Sequence, residues 1–206
     1  MNRRKLSIIA GFSYFIIFFA AIFANFYVIE TILKTPLETV TNNDFMIRLG
    51  IIAFLITVVF DVVVAWALYL LYKTHYLSTL STYFRMMHAA IMGVAIFTLP
   101  LTLKATNDTD VLNYINTFNT IWLIGLFFFG IHLILLGRII KTPKFITLFL
   151  ILAGLMYMID TCAHFLLADY EKYSSVFLTL VATPSIVGEM SLAIWLLFKG
   201  FKHSIQ

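Results

Sequence analysis

Cysteine is nearly absent from this chain of 206 residues. Cys162 stands alone, so an intrachain disulfide and any multi-cysteine metal site are excluded. Charge is scarce too. Asp, Glu, Lys and Arg make up 12% of the residues, roughly half the share of a soluble domain. Hydrophobic residues reach 62% and the mean hydropathy is +0.97, values that belong to a membrane protein. Low-complexity segments are missing as well.

Six apolar stretches are long enough to cross a bilayer, at roughly 6–30, 46–72, 84–103, 112–137, 145–168 and 174–198. They leave little chain for a soluble domain, and residues 1–206 read as one transmembrane unit. The first stretch follows Arg3, Arg4 and Lys5 like a signal peptide. Its apolar core is longer than the roughly 7 to 15 residues of such a segment and no A-x-A site follows, so a retained helix is expected. The expected fold is all-α: a six-helix transmembrane bundle with antiparallel neighbours and short loops.

Charge in the loops sets the orientation. With a cytoplasmic amino terminus, Arg3, Arg4, Lys5, Lys73, Arg85, Arg138, Lys141, Lys144, Lys199 and Lys202 face inward, against Lys34, Arg48, Lys104 and Lys172 outside. Acids run the other way. Glu30, Glu38, Asp44, Asp108, Asp110, Asp169 and Glu171 lie outside, and the inner loops have none. Both termini are thus expected in the cytoplasm, and the basic balance suits anionic lipid, with no nucleic-acid partner implied.

The remaining acids, Asp61, Asp160 and Glu189, lie inside the apolar runs with His88, His132 and His164. One ionised side chain at mid-bilayer costs from about 3 to more than 10 kcal/mol, so these groups should face protein or water. Counted from the inner ends at about 1.5 Å per residue, His88 and His132 lie roughly 6 and 9 Å deep, and Asp61 and Glu189 roughly 15 to 18 Å. Arg85 and Arg138 fall near the inner surface. Asp160 and His164, four apart, share a helix face in the outer half, where the carboxylate can orient the imidazole.

Several local features complete the reading. Residues 31–45, with Pro36, Asn42 and Asn43, read as an irregular outer loop, and residues 75–83 as an interfacial segment or a continuation of the third helix. Pro184 precedes Gly188 and Glu189 by one turn, and a kink there would open carbonyls beside the glutamate. The run from Phe127 to Phe129 reads as lipid-facing bulk.

These groups admit three functions. A proton-linked small-solute carrier or ligand-responsive protein would use Asp61 and Glu189 as proton acceptors and His88 and His132 as cavity lining; transport on only six helices implies a homodimer. A redox protein or enzyme would use His88 and His132 as axial ligands of a b-type haem, with Arg85 and Arg138 on the propionates and Gly93, Gly125 and Gly130 making room. The same histidines with Glu189 and Asp61 form a ligand set acceptable to zinc or iron. An accessory subunit would use the polar groups for packing alone. The carrier or sensor is the reading preferred.

The segments KLSIIAGFSY (5–14), FDVVVAWALYLL (60–71), FRMMHAAIMG (84–93), FFGIHLILLG (128–137), LAGLMYMID (152–160) and GEMSLAIWLLFKG (188–200) resemble a bacterial membrane family known as domain of unknown function 4386. The likeness runs nearly the whole chain and includes Arg85, His88, His132, Asp160, Glu189 and Lys199. It implies a multi-pass protein of a bacterial inner membrane and carries no activity with it.

Overall fold

The computed structural model describes residues 2–141 and 143–202, and these are helical throughout apart from turns. Six helical segments are long and apolar enough to cross a membrane: α1 (Arg3–Lys34), α2 (Asp44–Tyr72), α3 (Ser78–Thr102), α4 (Asp108–Ile139), α5 (Lys144–Leu166) and α6 (Tyr170–Phe201). Each exceeds the about 20 residues needed to span hydrocarbon. Starts carry local signals. Asn2 Oδ1 accepts from the Arg4 amide at 3.2 Å, and Asn107 Oδ1 from the Asp110 amide at 2.9 Å, satisfying first-turn donors of α1 and α4. Asp108 and Asp110 in the first turn of α4, and Arg138 in its last, complement the helix dipole. Pro143 precedes the first residue of α5.

Two expectations change, and of the two readings of residues 75–83 the continuation of the third helix holds from Ser78. Residues 31–45 are mostly helical: α1 continues to Lys34, and Pro36–Asn42 forms a short helix with proline in its favoured first turn. The Leu37 amide donates to Asp108 Oδ1 at 2.8 Å, tying this helix to the start of α4. The third span begins at Ser78, six residues before the apolar run, because hydroxyls of Ser78, Ser81 and Thr82 are accommodated inside it. Pro184 lies within an unbroken helix, Ser174–Phe201. The carbonyl it deprives of a donor is that of Leu180, four residues earlier and away from Glu189.

Consecutive helices pack side by side, α1 on α2, α2 on α3, and so on to α6, and α6 packs back on α1. The bundle is a closed ring in chain order. Small residues set its tightest contacts. A Cβ at Gly130 of α4 would stand 2.6 Å from the Gly154 carbonyl oxygen of α5, and one at Gly154 would collide with the Gly130 oxygen. Such backbone approach is how membrane helices gain van der Waals contact where lipid competes equally for apolar surface.

Two apolar clusters fill the ring. One, at the basic end, joins Leu6, Ala10, Val64, Leu68, Leu133, Leu150, Leu192 and Leu196 from five helices. The other, at the acidic end, joins Val28, Ile32, Ile47, Phe54, Ala95, Ile115 and Phe118 from α1 to α4. Between Phe54 and Val64 on α2 lies Asp61. The polar site occupies this seam.

Candidate functional site

Asp61 and Arg85 form a buried ion pair, with Arg85 Nη2 2.5 Å from Asp61 Oδ1. Arg85 is 1% exposed and Asp61 4%. Expectation put Arg85 near the inner surface. Because α3 starts at Ser78, Arg85 stands seven residues along it and His88 ten, about 15 Å from that end and level with Asp61, eleven residues before Tyr72. Arg48, the cation on α2 itself, is paired with Asp44 near the start of that helix, and Asp61 finds its cation on α3.

The guanidinium has further partners. Nη1 donates to the Tyr14 hydroxyl at 2.9 Å and to His132 Nε2 at 3.3 Å. Its carbon lies 4.9 Å from the Tyr14 ring centre and 5.2 Å from that of Phe129, a favourable arrangement for a cation among aromatic faces. Nε is buried with no hydrogen-bond partner among the described residues.

His132 has a fixed tautomer. Its Nδ1 stands 2.9 Å from the Ser81 carbonyl oxygen, which can only accept, so Nδ1 carries hydrogen. Ser81 Oγ lies at the same distance. Arg85 can only donate, so Nε2 accepts. The ring is thus neutral, and both nitrogens are used.

His88 completes the contacts to Asp61, with Nε2 3.5 Å from Oδ2. Its ring centre lies 4.7 Å from that of Phe129, and its buried Nδ1 has no hydrogen-bond partner among the described residues. Gly125 lies opposite that nitrogen: a Cβ there would come within 3.3 Å of it. Glu189 on α6 is half-buried. It interacts electrostatically with Arg85, Asp61, Tyr14 and Tyr157, and no hydrogen bond or ion pair of its carboxylate is found among the described residues.

Of the inner group expected from sequence, Asp61, Arg85, His88 and His132 converge directly and Glu189 joins through charge. Arg138 does not. It lies exposed in the last turn of α4, outside the cluster. Gly130 makes no room for a ring, being filled by the approach of α5, and Gly93 faces open space. Phe129, read as lipid-facing bulk, is buried and packs against both imidazoles and the guanidinium. Tyr14 and Ser81 were not anticipated. The sequence signal for Tyr14 is its spacing behind Leu6 and Ala10, one helix face at i, i+4 and i+8 that is wholly buried.

The donor set does not fit a haem or metal between His88 and His132. His132 would have to release Arg85 to offer Nε2, and Phe129 already lies against both rings. Among the described residues, no group of three or more His, Cys, Asp or Glu side chains is arranged to hold a metal ion.

The outer pair is arranged differently from expectation. Asp160 Oδ1 accepts from the Tyr170 hydroxyl at 2.6 Å, and the His164 ring meets the Tyr170 ring edge-on at 4.7 Å, so tyrosine links the two. Tyr170→Phe should leave the 8%-exposed Asp160 without this donor and destabilise by about 1–3 kcal/mol, read as a lowered melting temperature in mild detergent.

The family model described as Domain of unknown function (DUF4386) matches residues 9–200. A protein of Archaeoglobus fulgidus, described as an uncharacterized protein, is 29% identical over 161 residues, 75% of this chain and 86% of that protein. No solved structure matches.

Proposed function

We propose, for a chain that belongs to the DUF4386 family, that the seam between the two apolar clusters is a proton-linked binding site in a small-solute carrier or ligand-responsive membrane protein. One observation carries this reading: a buried guanidinium is bonded to one carboxylate while a second, half-buried carboxylate with no bonded partner among the described residues lies within its electrostatic influence. Arg85 is bonded to Asp61, while Glu189 feels its charge without a bond to it. Arg85 and Asp61 cancel each other, so Glu189 is the group that exchanges a proton. Arrival of a small polar solute, or loss of that proton, would let Glu189 compete with Asp61 for Arg85. Two alternative pairings of one cation supply the bistable element that transport or sensing requires. Arg85 Nε and His88 Nδ1, without a hydrogen-bond partner among the described residues, are further groups that a polar solute would satisfy.

The membrane is the cytoplasmic membrane of a prokaryote, with the basic end inward, and transport would involve a homodimer because six helices are few for one alternating-access unit. Infrared difference spectra of the reconstituted protein, recorded across a pH step, test the proton site. A carboxylic C=O band should grow on acidification, vanish in Glu189→Gln and persist in Asp61→Asn. Absence of the band, or its survival in Glu189→Gln, removes the basis of the proposal.

A further inference from the structure

A second feature lies apart from the ion pair, at the basic end of the ring. A cleft of about 640 Å³ opens there between the start of α1 and the ends of α2 and α6. Its size falls within the roughly 300–1,000 Å³ of small-molecule sites. Arg3, Arg4 and Lys199 line it, together with the hydroxyl-bearing Ser7, Tyr72 and Thr74, and no Asp or Glu does so among the described residues.

Basic residues at a membrane surface need no cleft, and Lys73, Lys141 and Lys144 are simply exposed. The cleft cations are held. Arg3 Nη2 donates to the Leu71 carbonyl oxygen at 3.4 Å, and Arg4 Nε donates to that of Gly200 at 2.7 Å. Lys199 Nζ lies 4.6 Å from the centre of the Trp195 ring. Two helices, α1 and α6, thus present three cationic groups to one space, next to hydroxyl donors from α1 and the end of α2. That combination of fixed guanidinium forks, ammonium and hydroxyls is the chemistry that recognises a phosphate group.

We propose that this cleft binds a phosphate-bearing anion, either a free phosphorylated solute or the headgroup of an anionic lipid. The site is independent of the Arg85 cluster. At the level of the inner interface it lies where both sources are within reach.

Thermal stabilisation of the purified full chain in mild detergent tests this, because a ligand that binds the folded state raises the melting temperature. The probes are inorganic phosphate and, in mixed micelles, phosphatidic acid, with phosphatidylcholine as the zwitterionic control. Saturable stabilisation by phosphate identifies a free anion, and by phosphatidic acid alone a lipid headgroup; either supports the site. The double variant Arg3→Gln/Lys199→Gln should bind about 30-fold more weakly, at about 1 kcal/mol per surface cation. Lys141→Gln/Lys144→Gln removes the same charge from the same end and should bind as the parent does. Both altered side chains of the first variant are exposed, so it should fold, and its melting temperature without ligand checks that. Equal weakening in both variants would reduce the effect to general surface charge and overturn the proposal, as would no saturable response to either anion.

Discussion

Arg85→Met should destabilise the protein by about 3–5 kcal/mol, while Arg85→Met/Asp61→Leu should recover most of that loss. The single variant strands Asp61, 4% exposed, with His88 at 3.5 Å as its remaining partner. The double variant removes both charges and fills the space with apolar side chains of similar volume. Burying an ion pair offers little net stability, because desolvation of two charges offsets their attraction, so its removal as a pair is tolerated far better than half of it. Unfolding of the four proteins of this cycle in mild detergent gives the coupling directly. A double variant as unstable as the single one would mean that Arg85 is needed for its packing against Tyr14 and Phe129, with little owed to charge. If the double variant is stable but inert in the pH-step spectra, the pair is there for function.

The second large effect is expected at the contact of α4 with α5. Gly154→Ala should destabilise by about 1–3 kcal/mol, and Gly154→Val by more, with loss of folded protein on extraction. An added Cβ meets the Gly130 carbonyl oxygen and lies 3.1 Å from the Ile134 amide nitrogen. The Ile134 side chain, with Cγ1 at 2.8 Å, can move, but these two obstacles are backbone and cannot rotate aside. Gly93→Ala is the matched control: its Cβ meets nothing within 4 Å, so it should be neutral or gain up to about 1 kcal/mol from helix propensity. Melting temperatures that fall equally in both variants would show that the α4–α5 approach is looser than the geometry requires.

Much of this architecture is legible in the chain itself. Six apolar runs mark six spans, since nothing but a helix or a closed barrel can satisfy backbone groups in lipid. Asp61, His88, His132 and Glu189 stand out for the same reason: each is an ionisable side chain in a place that penalises one. Arg85 is misjudged in depth, because counting apolar residues starts α3 at Phe84, whereas Ser78 and Ser81 are buried inside it. Tyr14 and Phe129 are hidden by composition. Among 21 phenylalanines and 10 tyrosines, an aromatic that stacks on a guanidinium looks like one that faces lipid. The closing of the ring by α6 on α1 is a long-range property that no local pattern encodes. The bridging of Asp160 and His164 by Tyr170 depends on the short connection after α5 folding back, which helical spacing alone does not reveal.

The ion pair has one more consequence, for biogenesis. Asp61 and Arg85 lie 24 residues apart on α2 and α3, consecutive helices joined by the short connection from Lys73 to Leu77. A helical hairpin emerging into the bilayer can cancel its own charges before meeting any other part of the chain. Neither helix need cross as a charged rod, and the insertion penalty of each is relieved by the other. Separating the two by a long engineered linker should therefore harm membrane integration of α3 more than the stability of the assembled ring.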